Sequence, residues 1–295
     1  VQTCALPISL GDFARLPGRF TVAEGDVDDA AAVAASLGGA DAVVYGAAVT
    51  SDALREAAAP RSVLEVNLMG WLTVLEAARP AGVRRLVNLS SASAYGDAAF
   101  GEGELDEAAT TPDPRTLYAV SKVAGERVGA RLADLWGLDV RSVRLSAVFG
   151  PWERATGVRD TLSPPFQVMR AALAGEPVRF ERHDVRDWVY APDVARAVAA
   201  LLGHPAPAFD LYNIGPGTTW DLVAWAERLR LHFPSLVPVV DPNTATIRTH
   251  APTPRQPLAA ARLREDLGVA DLRGGADSAD AYAAWAIRHR AIFEG

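Results

Sequence analysis

The sequence predicts a layered α/β fold, a parallel sheet with helices on both faces. Three observations carry that prediction. Short apolar segments alternate along the chain with longer segments whose apolar residues recur at the helical period. The connections between the apolar segments are long enough to hold a helix, as parallel strands require. The apolar segments end in small residues, as at Gly46-Ala47-Ala48 and Ser90-Ser91-Ala92.

Length and composition bound the answer. The chain has 295 residues, 49% hydrophobic and 22% charged, enough for one large domain or two closely joined ones. Lys+Arg 29 against Asp+Glu 36 gives a formal charge of -7, which argues against a nonspecific nucleic-acid binder. The single cysteine, Cys4, excludes an intrachain disulfide and any cysteine metal cluster, and no metal site is expected. No apolar run reaches membrane-spanning length and no basic leader is evident, so no membrane partner and a cytoplasmic location are expected. No internal repeat is visible. The abundance of Ala, Gly and Pro suits tightly packed layers, although a GC-rich gene gives the same bias.

Taken in order, residues 1–10 fit neither strand nor helix and lack an initiator Met. They read as a non-native leader, with an ordinary disordered start as the alternative. A short strand is expected over 20–24, followed by Gly25-Asp26-Val27-Asp28-Asp29, whose acidic residues can cap a helix over 29–37. The strand at 42–45 ends in Gly46-Ala47-Ala48, where small side chains would let a flat ligand reach the backbone, or would serve close helix–strand packing. Pro60 starts a helix over 61–78 with Val63, Val66, Leu68, Leu72 and Leu75 on one face. A strand over 85–89 runs into Ser90-Ser91-Ala92-Ser93-Ala94-Tyr95-Gly96, and a polar loop fills 97–117. A helix over 118–135 and a strand over 140–145 follow, and Gly150-Pro151 marks a turn.

After Pro151 the texture changes. A loop over 152–165 leads to a helix over 166–174, a strand at 178–180 and the segment His183 to Tyr190. A helix over 192–202, a last sheet strand over 210–214 and a helix over 220–229 capped by Thr219 come next. The Pro-rich stretch 234–257 is irregular or a small hairpin, and helices over 258–267 and 278–292 close the chain. Two units are expected: 11–150 with 191–232 around the sheet, and 151–190 with 233–295 as a smaller lid over its C-terminal edge, where open α/β sheets bind ligands.

The stretch Tyr118-Ala119-Val120-Ser121-Lys122 places a phenol and an ammonium on one helix face. A nearby cation favours the ionised phenol. By itself the pair also fits a half-buried tyrosine beside a solvated lysine.

The order and spacing of several pieces resemble the extended short-chain dehydrogenase/reductase family, the NAD-dependent sugar-nucleotide epimerases and dehydratases. The pieces are Gly25-Asp26-Val27, Val43 to Ala48, Asn67 with Gly70, Ser90 to Gly96, Tyr118 with Lys122, Phe149-Gly150-Pro151, Arg186 to Tyr190, Asp193-Val194-Ala195 and Tyr212 to Gly215. The resemblance implies a Rossmann-like, doubly wound sheet and NAD as cofactor, with NADP as the alternative. It implies Tyr118 as the catalytic acid/base, Lys122 as the residue that lowers the phenol and holds the nicotinamide ribose, and Ser91 as the serine beside the reacting oxygen, with Ser93 as its backup. Asp26 and Val27 would contact adenine. Ala47, Ala48, Asn67, Ser90 and Val148 would line the cofactor site. Phe149 and Ser93 would face substrate. Arg186 would grip a nucleotide-sugar diphosphate, or only pair with Asp184 or Asp187. A homodimer through the helices 61–78 and 118–135 is implied as well.

Departures from the family pattern set further expectations. No Gly-x-x-Gly-x-x-Gly loop is found, so the first strand and the glycine loop are expected to be missing from this chain and cofactor binding to be weak. Ser91-Ala92-Ser93 stands where 4,6-dehydratases carry Thr-Asp-Glu, which favours a 4-epimerase. Ala147 replaces the usual Asn, which keeps open a dehydrogenase of a sugar acid or small polyol. A non-catalytic NAD(P)-binding protein is the remaining alternative.

Overall fold

The computed structural model describes residues 21–154, 162–249 and 254–294. The expected leader at 1–10 and Phe20 lie outside them. The strand expected over 20–24 is not formed at its described residues, because 21–26 have no regular structure. A strand needs a hydrogen-bonded neighbour, and no described segment pairs with this one.

The strands are β1 (Ala42–Tyr45), β2 (Arg85–Ser91), β3 (Asp139–Leu145), β4 (Val148–Phe149), β5 (Val178–Phe180), β6 (Val185–Arg186), β7 (Val189–Tyr190), β8 (Leu211–Ile214), β9 (Trp220–Asp221) and β10 (Pro238–Val240). The helices are α1 (Ala30–Ser36), α2 (Ala53–Ala58), α3 (Pro60–Leu64), α4 (Gly70–Ala81), α5 (Leu117–Trp136), α6 (Pro164–Ala174), α7 (Ala191–Gly203), α8 (Leu222–Leu229), α9 (Ala261–Glu265) and α10 (Gly275–Arg288). The main sheet is parallel throughout, in the order β1-β2-β3-β8.

Alternation along β2 divides the core between the two faces. Leu86 points with Tyr45 and Val140 toward Trp71, Val74, Leu75 and Ala78 of α4. Its neighbour Val87 points with Val143, Tyr212 and Ile214 toward Val194, Ala197, Val198 and Leu201 of α7. This is the expected doubly covered α/β sheet. Buried Arg85, at the start of β2, pairs with Asp139 and donates to the carbonyls of Leu201 and His204, satisfying the C-terminal end of α7.

The helix expected over 61–78 is interrupted. A π-helical turn, Glu65–Met69, joins α3 to α4. The wide turn frees a carbonyl, and the Tyr45 hydroxyl donates to that of Val66. Gly70 follows because a Cβ there would stand 2.7 Å from Cγ2 of Val27. α5 is capped by Thr116, which accepts from the Ala119 N–H, and ends at Gly137 with φ 67°. It packs closely on α4 through Gly125 and Gly129. Nε1 of Trp71 donates to the Gly125 carbonyl at 3.1 Å, and a Cβ on Gly129 would lie 3.3 Å from the same nitrogen.

The second core is aromatic. Phe149, Phe166, Trp188, Tyr190, Trp225 and Tyr282 are all buried in it, and each such ring contributes about 2–3 kcal/mol through burial. α8, within the stretch 191–232 that the sequence assigns to the sheet unit, buries Trp225 and Leu229 here. Leu263 and Val269, within 233–295, pack instead with β8 and α7. The helix cap is Asp221, which accepts from the Val223 N–H at 3.1 Å, not Thr219: residues 220–221 are taken into β9, paired with β6, so the helix starts later. The described residues of the 234–257 stretch form no hairpin. β10 pairs in parallel with β5, because Thr246 and Ile247 also return to Arg179 and hold the stretch against that strand.

Candidate active site

The C-terminal end of β2 carries Ser90 and Ser91, and the chain then tightens into a 3-10 turn, Ala92–Tyr95. Gly96 closes the turn with φ 58°, where any Cβ would stand 1.7 Å from the Asp113 carbonyl oxygen. Within the turn, Oγ of Ser91 accepts from the Ser93 N–H at 3.1 Å and lies 3.1 Å from Oγ of Ser93. The Tyr95 hydroxyl donates to Asn213 Oδ1 at 3.0 Å, which anchors the turn to β8.

The first turns of α5 face this end of β2. Lys122 is buried, and its ammonium donates to the Leu89 carbonyl at 2.8 Å and sits 5.5 Å from the centre of the Tyr118 ring. Burial pushes the ammonium down to about 8, against the opposing pull of the Glu126 carboxylate. Lys122 is the only lysine in the chain. The half-buried Tyr118 is fixed through its backbone, its N–H toward Glu56 and its carbonyl accepting from Oγ of Ser121 at 2.7 Å.

A cleft of about 580 Å³ opens beside this pair. Of the expected residues it brings together Ser90, Ser91, Ser93, Tyr118, Val148 and Arg186, with Phe149 also on its wall. Lys122 adjoins Tyr118 without lining the cleft. Asp26, Val27, Ala47, Ala48 and Asn67 do not line it either. Val27 and Ala47 pack against Val49, Val63 and Val66. Asn67 clamps Val49 through both backbone groups and donates to Oγ of Ser121 at 3.0 Å, so both its amide hydrogens are used within the protein. The Ser90 hydroxyl turns from the cleft to Oε1 of Glu126 at 2.5 Å. Buried Arg186 donates to Asp184 at 2.7 Å, so the ion pair open as an alternative forms while the residue still lines the cleft. Among the described residues no group of three or more His, Cys, Asp or Glu could hold a metal ion, and no helix is long and apolar enough to cross a membrane.

Sequence reasoning missed several groups. Arg255 lines the cleft beside Arg186 and donates to the Ala92 carbonyl at 3.0 Å. Burial, and then the charge of Arg186, lower its guanidinium, while Asp187 acts in the opposite sense. Its signal was a cation stiffened by flanking prolines, Pro254-Arg255-Gln256-Pro257, inside a stretch read only as irregular. Trp152 lines the cleft in the left-handed region, φ 72°, with edge contacts to Trp285 and His289; nothing in composition announces such a backbone. Glu126 lies four residues past Lys122, a spacing that would have found it.

Comparison with known proteins places this geometry. Residues 8–215 match the model of the NAD dependent epimerase/dehydratase family. A dTDP-glucose 4,6-dehydratase of Streptomyces niveus is 31% identical over 212 residues, 72% of this chain and 60% of that protein. A UDP-glucose 4-epimerase of Mycolicibacterium smegmatis is 32% identical over 52% of this chain and 47% of its own length. The chain thus spans about half to three fifths of these relatives. Among solved structures, the dTDP-glucose 4,6-dehydratase DesIV of Streptomyces venezuelae, crystallised with NAD and TYD, is 28% identical with a TM-score of 0.69 over 90% of this chain and 79% of that one. With the family model covering most of its length, the sheet doubly covered, and the tyrosine, lysine and serine gathered at the C-terminal end of β2, the chain belongs to the NAD-dependent epimerase/dehydratase family of extended short-chain dehydrogenases/reductases.

Proposed function

We propose that the protein uses NAD, with NADP as the alternative, to transfer hydride at the C4 hydroxyl of a nucleotide sugar, and that it acts as a 4-epimerase. The observation that carries the choice of reaction is the fate of the carboxylates around the cleft. Eliminating water from a sugar needs one group to protonate the leaving hydroxyl and one to remove the carbon-bound proton. The turn at Ser91-Ala92-Ser93 offers hydroxyls only. Asp52 caps α2 by accepting from the Arg55 N–H at 2.8 Å. Glu153 accepts from the N–H and Oγ of Ser163 at the start of α6, and Asp187 accepts from the Leu258 N–H at 3.0 Å. Each acid that the described residues place on the cleft wall therefore has structural work.

The residues present fit the nicotinamide-ribose end of the cofactor. The Lys122 ammonium, behind Tyr118 and off the cleft wall, has three hydrogens and gives one to Leu89, so its others would serve ribose hydroxyls that reach past Tyr118. When bound, NAD would supply the hydride acceptor and, once reduced, the hydride donor. Tyr118 takes the proton of the C4 hydroxyl as the C4–H bond breaks, leaving a ketone. Ser91 hydrogen-bonds the reacting oxygen. The charge of Lys122 favours the Tyr118 phenolate. Arg186 and Arg255 hold the diphosphate while the ketosugar turns, and Tyr118 gives the proton back when the opposite face is reduced.

Ala147, on the cleft wall where the family usually carries Asn, keeps open a second reading, a sugar-acid or polyol dehydrogenase that releases NADH. Exposed Met69, Val120 and Leu135, within the expected helices over 61–78 and 118–135, support a homodimer through those segments. The test incubates the protein with NAD and UDP-glucose or dTDP-glucose and identifies the product by NMR. A C4 epimer with no net NADH supports the proposal. A 4-keto-6-deoxy product or stoichiometric NADH overturns it.

A further inference from the structure

Behind the Tyr118–Lys122 pair lies a buried polar cluster with no part in the chemistry above. Glu126 follows Lys122 by one helical turn on α5, and both side chains are buried. The carboxylate is fixed from the side of the sheet. Arg144 of β3 donates to it through Nε at 2.9 Å and through a terminal nitrogen at 2.7 Å, a bidentate fork. Ser90 of β2 donates to Oε1 at 2.5 Å. Arg144 is itself held over the Tyr95 ring, 4.3 Å from its centre. Glu126 therefore cannot swing away from α5 without leaving a buried guanidinium unpaired.

We propose that Glu126 is a positioning residue, the fixed counter-ion that keeps the Lys122 ammonium charged beside Tyr118. This inference rests on the functional reading above, in which that ammonium serves the phenol and the ribose.

The surroundings of Lys122 leave few other groups for the task. α5 contributes Tyr118 and Glu126. β2 contributes the Leu89 carbonyl and the committed Ser90 hydroxyl. β3 contributes Arg144, already paired with Glu126, and the 92–95 turn contributes neutral Tyr95, raised by burial. The π-helical turn contributes Asn67, an uncharged amide bonded to Ser121. Glu126 is the one anion in this set, and it pulls the ammonium upward against burial.

The chain's single lysine makes the test direct. In protein labelled at lysine, one lysine resonance reports Lys122 without assignment, and it can be titrated in the absence of cofactor or substrate. The expected result for Glu126→Gln is a fall of about one pH unit in the Lys122 midpoint, with Glu126→Asp restoring most of it. Because Glu126→Gln strands Arg144, the double variant Glu126→Leu/Arg144→Met is titrated beside it. It replaces the buried pair with apolar groups of similar size, and a smaller fall in the same direction is expected. An unchanged midpoint in the folded variants overturns the proposal. Activity is assayed separately: a shifted midpoint in an inactive wild type would sink the functional reading while leaving the counter-ion role standing.

Discussion

The Lys122 ammonium lies 5.5 Å from the centre of the Tyr118 ring and is tethered to the Leu89 carbonyl at 2.8 Å. The charge that would favour the phenolate is thus fastened to the same strand that carries Ser91. Tyr118→Phe removes only the hydroxyl. Its expected effect is a loss of kcat of about 10²- to 10⁴-fold, with the unfolding midpoint and NAD affinity nearly unchanged. A variant that keeps its rate would remove Tyr118 from the chemistry.

The same lysine should set a pH dependence of stability. Its folded value of about 8 lies below the 10.5 of a free lysine, so the unfolded chain binds the extra proton between those values. Stability therefore rises with pH through that window, and burial costs most below pH 8. Against Lys122→Met, wild type should gain about 2 kcal/mol between pH 7.5 and pH 9.5, measured by denaturant unfolding at the two pH values. A constant difference would mean that Lys122 titrates normally.

Gly96 offers a test of the turn that aims Ser91 and Ser93. With φ 58° and a Cβ position 1.7 Å from the Asp113 carbonyl, no side chain fits without moving the backbone. Gly96→Ala should destabilise by more than about 3 kcal/mol, read from the chemical denaturation midpoint. Gly103, also at positive φ but with open space around it, is the control, where alanine should cost about 1 kcal/mol.

Local patterns made the layered fold legible. The apolar runs at 42–45 and 85–89 became β1 and β2, and the helical period over 118–135 became α5. Features that need a distant partner were not legible. The π-helical turn depends on the Tyr45 hydroxyl arriving at Val66, and β10 forms because β5 lies beside it. For the site, spacing puts Tyr118 and Lys122 on one helix face, while only the family resemblance singles out Ser91. Arg255 reaches the cleft from a stretch without regular pattern. The commitment of Asn67 and Ser90 to internal hydrogen bonds is a property of packing that no spacing displays.

Arg186 and Arg255, on the cleft wall, predict how substrate affinity divides. Arg186→Met and Arg255→Met should each raise KM for a nucleotide sugar by roughly 10- to 100-fold, with kcat less affected, because the diphosphate is held alike in ground and transition states. Steady-state kinetics with the nucleotide sugar would show it. A loss confined to kcat would place these residues in the chemistry instead.

The most direct measurement follows the hydrogen itself. The protein is given NAD and a nucleotide hexose deuterated at C4, and the product is examined by NMR. If Tyr118 serves an epimerase, the deuterium leaves C4 and returns to C4, and both epimers carry it there. Deuterium at C6 of a dehydrated sugar, or in released reduced cofactor, would contradict the proposed reaction.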